Sequence, residues 1–211
     1  MTKEPGSKIR VLLADDHMVV RMGIASVVAY AGGMEVVGEA DTGLDAVKLA
    51  HELKPDVVLM DLQMPELSGA EATARIRAQD PEVKVLVLTS FGTSAELKKA
   101  MDAGASGALV KSSSRTEIVD AIRGVVEGRQ VMSSEIRNTI RSFSAMPKLS
   151  QRQIDILNLV AKGLSNKEIA GIVGVSSDTV KYHVANILQA IGASTRAEAT
   201  LIALNLGLIT G

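Results

Sequence analysis

Four short apolar segments of this 211-residue chain end in side chains that could take part in phosphoryl transfer. The clearest is the segment from Val57 to Met60, four apolar residues that lead directly into Asp61. A carboxylate placed there can act as a nucleophile and form an aspartyl-phosphate. A lone aspartate at the end of a strand is also a frequent turn cap, so this residue alone leaves both interpretations open.

The other three segments end in side chains that complement this carboxylate. They are followed by the pair Asp15 and Asp16, by Thr89, and by Lys111. The acid pair could hold Mg²⁺, which prefers oxygen ligands and keeps several waters. Thr89 could hydrogen-bond a phosphoryl oxygen, while Lys111 and the metal could offset the charge on the transferring group. The combination predicts a phosphoryl-transfer site, provided that the fold brings the four segment ends together.

The elements that must position these side chains are predicted by hydrophobic patterning. Residues 8–128 alternate between short apolar segments and helical patterns, which indicates a parallel sheet with helices on both faces. Strands are expected at 8–14, 34–39, 56–60, 83–88 and 107–110, and helices at 17–30, 44–53, 69–79, 93–103 and 114–127. In such sheets ligands bind beyond the carboxyl ends of the strands. The prediction is a flavodoxin-like sheet of five strands, a fold that also binds flavin and does not by itself decide function.

From Leu149 onward the pattern is entirely helical and predicts four helices. Ser165 and Glu168 have the spacing of a capping box, and Ser176 or Ser177 begins the helix that follows the turn at Gly174. That helix carries an apolar stripe of Val180, Val184, Ile187 and Ile191. Two short helices joined by a tight turn predict a helix-turn-helix, and a packed four-helix domain without a nucleic-acid role is the alternative.

Composition limits the classes of function. The absence of cysteine excludes disulfides and thiolate metal sites, and His17, His51 and His183 lack metal-ligand spacing, so each is interpreted as an ordinary histidine. No apolar segment approaches the ~18 residues of a membrane span, and residues 1–8 lack a signal-peptide core. Residues 1–128 hold 14 Lys+Arg against 19 Asp+Glu, whereas residues 129–211 hold 9 against 5. We expect a cytoplasmic protein, and the basic balance makes its second half a candidate for nucleic-acid binding.

The motifs at the segment ends resemble those of response regulators of the NarL/FixJ type, which join a phosphorylatable receiver to a LuxR-type helix-turn-helix. The matching motifs are Ala14–His17, Met60–Pro65, Leu88–Ser90 and Leu109–Lys111, in the family's order and spacing. Gly163–Ala170 and Thr179–Val184 resemble the LuxR-type signature. The resemblance implies a receiver at 1–128, a linker at 129–148 and a DNA-binding domain at 149–211.

The resemblance also implies roles for the residues and a set of partners. Asp61 would accept a phosphoryl group from a sensor histidine kinase, and Mg²⁺ would be bound by Asp15, Asp16, Asp61 and the backbone carbonyl of Gln63. Thr89 and Lys111 would respond to the phosphoryl group. Further partners would be the transcription machinery and double-stranded DNA, bound at paired half-sites by a homodimer that forms on phosphorylation. The expected DNA contacts are Lys167, Ser177, Thr179, Lys181, Tyr182, His183 and Ala185.

One departure concerns the signal inside the receiver. Many family members carry an aromatic residue three positions before the lysine, but this chain has Ala108, so the relay must differ. Phe91, in the loop after Thr89, is one candidate for that role and an ordinary loop phenylalanine is the other.

Two further classes of function compete with a phosphorylation-switched regulator. A phosphohydrolase using Asp61 is disfavoured because Gln63, two residues on, cannot serve as a general acid. A scaffold with a vestigial receiver is disfavoured by the intact acids, Thr89 and Lys111. We therefore expect a transcription regulator and not an enzyme.

Overall fold

The computed structural model describes residues 7–90, 94–145 and 149–209. The chain divides into two compact units, and the main break falls between Asn138 and Thr139. Within the described residues no helix is both long enough and apolar enough to cross a membrane.

The first unit is built on a parallel sheet. Its strands are β1 (Ile9–Ala14), β2 (Met34–Ala40), β3 (Val57–Asp61), β4 (Lys84–Thr89), β5 (Gly107–Val110) and β6 (Val131–Met132). The helices between them are α1 (Met18–Tyr30), α2 (Gly43–Leu53), α3 (Gly69–Gln79), α4 (Ser94–Asp102) and α5 (Arg115–Val126), and α6 (Ser134–Ala145) follows β6. The first five strands begin and end within one residue of the predicted bounds.

The strand order is β2-β1-β3-β4-β5-β6, with parallel pairing throughout. The first five positions follow the flavodoxin-like order, whose direction of winding reverses between β1 and β3. The carboxyl ends of β1 and β3 therefore border the crevice where ligands bind in this class of sheet, and Asp15, Asp16 and Asp61 stand at those two ends.

The prediction of five strands is wrong, because the described part of the sheet has six. Strand β6 lies in the segment that was expected to be a linker, and it pairs with β5 through Gly107 and Ala108. Two glycines make this approach possible: a Cβ atom at Gly107 would lie 2.3 Å from the Val131 carbonyl oxygen, and one at Gly124 would lie 2.8 Å from Val131 Cγ2. A strand of two residues is too short to produce a periodic pattern, so the sequence gives no signal for it.

Alternate residues of each central strand pack on opposite faces of the sheet. Val11 and Leu13 of β1 belong to one apolar cluster, while Leu12 and Ala14 belong to the other. All five residues of β3 are buried. This two-sided burial is the reason why the strands appear in the sequence as continuous apolar segments.

The second unit contains α7 (Gln151–Ala161), α8 (Asn166–Val173), α9 (Ser177–Ile191) and α10 (Arg196–Asn205). Capping boxes begin α7 at Ser150 and α8 at Ser165, and the side chain of Ser176 caps α9. Gly174 ends α8 in the left-handed conformation, with φ of 69°, which produces the tight turn into α9. The predicted stripe on α9 is buried in one apolar cluster with residues from the other three helices.

Candidate functional site

Asp61 is held at the end of β3 by the loop that follows it. The side chain is almost completely buried, and its Oδ1 accepts a hydrogen bond of 2.7 Å from the backbone N–H of Leu62. The loop closes where the Gly69 N–H donates to the Leu62 carbonyl at 2.9 Å. A Cβ atom at Gly69 would lie 1.8 Å from the Asp61 carbonyl oxygen, so only glycine allows α3 to begin this close to the strand end.

The three acids predicted from the sequence come together at this edge. Asp15 directly follows β1 and is buried, whereas Asp16 is exposed at the rim. Carboxylate oxygens of Asp15, Asp16 and Asp61, together with an imidazole nitrogen of His17, all lie within 4.8 Å of one another. This spacing suits the coordination sphere of one small cation.

Lys111 supplies the positive charge of the site. Its Nζ lies 2.7 Å from Oδ2 of Asp15 and 2.7 Å from Oδ2 of Asp61, and it donates a hydrogen bond to Asp61. Its backbone N–H donates to the Thr89 carbonyl at 2.8 Å, which fixes the end of β5 to the end of β4. Burial opposes the charged form, but the contacts with Asp15 and Asp61 outweigh it and raise the pKa of the Lys111 ammonium group.

Burial and charge affect Asp61 in opposite directions. Burial is the largest effect, and it raises the pKa of the Asp61 carboxyl group above its ordinary value despite the hydrogen bond and charge of Lys111. The negative charge of Asp15 acts in the same direction as burial, whereas the N–H of Leu62 acts against it. The carboxylate therefore carries its charge in a place where a further cation would stabilise it.

Thr89 ends β4 at the same edge and is buried. Its hydroxyl donates a hydrogen bond of 2.9 Å to the carbonyl of Ser90. Gln63 is exposed in the loop between β3 and α3, and Phe91 lies outside the described residues.

The second unit presents one exposed face of α9 opposite its buried stripe. Lys181, Tyr182 and Ala185 are exposed on this face, as is Ser177 at its beginning. Thr179 and His183 are partly buried, and the hydroxyl oxygens of Thr179 and Ser176 lie 2.9 Å apart at the helix cap. Lys167 is exposed on α8. The structure thus places four of the seven predicted DNA contacts on an open face of α9.

Comparison with known proteins decides the family. The response regulator receiver domain matches residues 11–123, and the luxR family of bacterial regulatory proteins matches residues 147–203. The response regulator protein VraR of Staphylococcus epidermidis is 41% identical over 206 residues, covering 95% of this chain and 99% of the relative. This chain is a response regulator. It belongs to the DNA-binding regulators of two-component systems, with a receiver and a LuxR-type helix-turn-helix.

Solved structures of response regulators agree with this family. ChrA, the response regulator of a heme-sensing two-component system, is 35% identical, with a TM-score of 0.61 over 97% of this chain and 100% of that one. RcsB of Salmonella enterica serovar Typhimurium has a TM-score of 0.74 over 94% of this chain and 99% of its own, and at 23% identity it shares the fold alone.

His17 is a residue of this response regulator whose position the sequence analysis missed. It was interpreted as an ordinary histidine, but its Nδ1 lies 2.6 Å from Oδ1 of Asp16 and 3.4 Å from Oδ1 of Asp15. The signal that could have found it is adjacency, since His17 directly follows the acid pair and shares the same strand end.

Two arginine side chains of the DNA-binding domain donate hydrogen bonds to other groups of the same domain. Arg196 donates to the Asn166 side chain at 2.7 Å and to the Leu164 carbonyl at 2.6 Å, and Arg152 donates to the Val173 carbonyl. Residues 149–211 contain five Lys+Arg in all, so the three that remain for phosphate contacts are lysines. Sequence analysis counts charges but cannot tell which of them bind the protein itself.

Proposed function

We propose that Asp61 is the phosphoryl acceptor of this response regulator and that a sensor histidine kinase is the donor. One Asp61 oxygen would attack the phosphorus of the kinase's phosphohistidine, and the P–N bond would break as the imidazole leaves with its electron pair. The observation that carries the proposal is Lys111, whose Nζ bridges Asp15 and Asp61 at 2.7 Å from each. This ammonium group holds the acceptor in place and offsets charge on the incoming group.

We propose that Asp15, Asp16, Asp61 and the backbone carbonyl of Gln63 hold Mg²⁺. The residues fit such an ion, because carboxylate oxygens of Asp15, Asp16 and Asp61 lie within 4.8 Å of one another at one sheet edge. Clustered carboxylate oxygens are the ligands that Mg²⁺ prefers in proteins. When bound, the ion would neutralise charge on the transferring phosphoryl group. Thr89 and Lys111 would then respond to the phosphoryl group.

The experiment compares labelling of the wild type with labelling of Asp61→Ala, using acetyl phosphate and Mg²⁺. The wild type should take up one phosphoryl group and Asp61→Ala none. Asp120→Asn, a change at an exposed aspartate on α5, is the matched control and should label normally. Label retained at the wild-type level in Asp61→Ala would contradict the assignment, and absence of label in the wild type would favour a vestigial receiver.

For the second half of the chain, we propose that Lys181, Tyr182 and Ala185 face the bases and that Lys167, Ser177, Thr179 and His183 contact the phosphates. Phosphate contacts supply much of the affinity for DNA. Because Arg152 and Arg196 bind backbone carbonyls within the domain, one domain has few cations left for DNA. Two subunits on paired half-sites, formed as a homodimer on phosphorylation, would supply the missing contacts.

We propose domain bounds of 1–128 for the receiver, 129–148 for the connecting segment, whose strand β6 pairs with the receiver sheet, and 149–211 for the DNA-binding domain; residues 146–148 lie outside the described residues. The regulator would act on the transcription machinery in the cytoplasm, where its DNA lies. It would serve as a switch and not as an enzyme, since the exposed Gln63 amide cannot replace a general acid.

A further inference from the structure

The exposed face of α9 offers few groups that could form hydrogen bonds with DNA bases. Between residues 179 and 188 its exposed side chains are those of Lys181, Tyr182 and Ala185, and Tyr182 is 65% exposed. Lys181 is the only Lys or Arg of the helix. Asp178 lies in the first turn, where a negative charge stabilises the amino end of a helix. The middle of this face therefore presents one ammonium group, one aromatic ring and one methyl group.

The ammonium group of Lys181 is available to a base. Lys181 makes no hydrogen bond or ion pair with any other residue that the structure describes. Arg152 and Arg196, by contrast, donate to backbone carbonyls of their own domain. Guanine presents two acceptors in the major groove, O6 and N7, and lysine or arginine is their usual partner. The available cation of α9 therefore favours guanine at one position.

Tyr182 and Ala185 offer apolar surface to the same groove. The C5 methyl group of thymine is the apolar group that a base pair shows there, and alanine and aromatic side chains contact it. The Tyr182 ring lies edge to face with the ring of His183, with centroids 5.9 Å apart and planes at 63°. The methyl group of Ala185 is short, so it reaches only a base directly beneath the helix.

The spacing of these side chains limits the stretch of DNA that they can read. Residues 181 and 185 lie about 6 Å apart along the axis of a helix, at a rise of about 1.5 Å per residue. Successive base pairs are about 3.4 Å apart. The three side chains therefore reach bases within about two base-pair steps of one another.

We propose that α9 reads half-sites in which one guanine lies within about two base pairs of two thymines. Nζ of Lys181 donates to O6 and N7 of the guanine, while the Tyr182 ring and the Ala185 methyl group pack against the C5 methyl groups of the thymines. The inference rests on the proposed DNA contacts and names the class of sequence that they fit.

The test begins with selection of duplexes from a random pool by the full chain, treated with acetyl phosphate and Mg²⁺ at one fixed salt concentration. The selected half-sites should contain the guanine and the two thymines. In one half-site of the selected duplex, uracil then replaces each thymine in turn, which removes only the C5 methyl group. Each replacement should weaken binding by about fourfold, the effect of leaving one methyl group uncovered.

Variants of the protein assign each contact. Ala185→Gly should bind thymine and uracil equally at one position, and Tyr182→Ala should do so at the other. 7-Deazaguanine, which lacks the N7 acceptor, should weaken binding of the wild type by about fivefold and have no effect on Lys181→Met. Lys167→Ala is the matched control, because loss of a phosphate contact weakens binding to all these duplexes alike and leaves each ratio at the wild-type value.

The outcomes separate this inference from the proposed function. If the wild type selects a defined site but binds its thymine and uracil forms equally, the inference is overturned and DNA binding stands. Discrimination against uracil that persists in both Ala185→Gly and Tyr182→Ala would also overturn it, because the methyl groups would then act through the shape of the DNA. If no defined sequence is selected, both the inference and the proposed base contacts are overturned.

Discussion

Burial of the Asp61 carboxylate lowers folding stability, and the same carboxylate is the group proposed to accept phosphate. Burial raises the pKa of its carboxyl group, and the nearby Asp15 adds to that effect. Lys111 compensates in part, since its Nζ contacts both carboxylates. The site therefore keeps a buried carboxylate charged at a cost in folding stability, and the same charge is what a phosphoryl donor and a metal ion require.

Asp61→Asn should stabilise the metal-free protein at neutral pH, because the wild type must keep a buried carboxylate charged beside Asp15. A carboxyl group whose pKa is raised in the folded state binds protons more tightly there, so the wild type loses stability as pH rises through the raised pKa. The advantage of the asparagine variant should be smallest near the ordinary value of 3.8 and should grow toward neutral pH. Urea unfolding in the presence of a chelator, at pH 4.5 and at pH 7.5, measures the free energy of unfolding of the wild type and of Asp61→Asn.

Asp120→Asn provides the control for that comparison, because it removes a carboxylate from an exposed position on α5. A wild-type protein as stable as Asp61→Asn at both pH values would show that burial of Asp61 has no net cost.

At this scale the sequence predicts which strand ends carry the acids and the lysine, because polar residues directly after apolar segments are conspicuous. It does not predict how close they come, since Lys111 and Asp61 are 50 positions apart and only the sheet order makes them neighbours. The position of His17 was missed for a related reason. Its type and spacing are unremarkable, and only the structure shows that its ring nitrogen lies beside Asp16.

Four of the described helices, two in each unit, begin with a capping box. Ser68, Ser114, Ser150 and Ser165 each cap a helix and pair with a glutamate or glutamine three residues later. In the boxes of Glu71, Glu117 and Glu168, hydrogen bonds with the cap serine lower the glutamate pKa. Each box is local in sequence, and the box at Ser165 was predicted for that reason.

Glu168→Gln should reduce the stability of the DNA-binding domain at neutral pH and have little effect in acid. Hydrogen bonds with Ser165 lower the pKa of Glu168 below its ordinary value of 4.5. A group of this kind contributes stability above its unfolded pKa and loses it as pH falls through the lowered folded pKa. Thermal unfolding of wild type and variant between pH 3 and 7 should show two curves that converge at the acid end.

Ser165→Ala tests the same capping box by changing its serine in place of its glutamate. It removes the hydroxyl that accepts from the Glu168 N–H, and loss of a cap costs about 1 kcal/mol. If neither substitution changes the stability of α8, the capping box does not stabilise this helix.

Gly69→Ala should destabilise the first unit by about 2 kcal/mol and weaken phosphorylation of Asp61. The new methyl group would overlap the Asp61 carbonyl, so either the strand end or the start of α3 must move, and overpacking of this kind costs about 1–3 kcal/mol. The matched control is Gly23→Ala in α1, where a Cβ atom meets nothing within 4 Å. That change should stabilise the helix by about 0.5–1 kcal/mol. Equal stability of both variants would contradict the close approach at Gly69.

At the scale of the whole molecule, the chain joins two units that each have an apolar core. The acidic balance of the first half and the basic balance of the second, 9 Lys+Arg against 5 Asp+Glu in residues 129–211, fit different partners. Sequence patterning predicts two parts, because the change from alternating to purely helical patterns is visible over tens of residues. It does not predict the relay between the units, and Phe91, one candidate for it, lies outside the described residues.

Thr89→Ala should still accept phosphate on Asp61 but lose most of the phosphorylation-dependent gain in DNA binding. A phosphoryl group shifts an equilibrium only through groups that it contacts differently in the two states. Thr89 is the best placed, since its hydroxyl is at the end of β4 and its carbonyl binds the Lys111 N–H. DNA affinity should be measured with and without a phosphoryl mimic at one fixed salt concentration.

Thr89→Ser is the control for that experiment, because it keeps the hydroxyl and should keep the gain. A substitution at Ala108 is less suitable, since this residue is fully buried between β4 and β6 and a larger side chain would disturb the sheet. If Thr89→Ala retains the full gain, the relay does not depend on this hydroxyl.

The short strand β6 also affects how the receiver behaves in crowded solution. Its two residues pair with Gly107 and Ala108 and so cover the first half of the apolar β5 edge, which runs from Gly107 to Val110. Open apolar edges are templates for pairing with other chains, and natural proteins cover them or flank them with charges. The exposed Arg129, two residues before β6, adds such a charge. A receiver fragment cut before Val131 would therefore expose the backbone of Gly107 and Ala108 and be more prone to aggregation than one that continues through Met132.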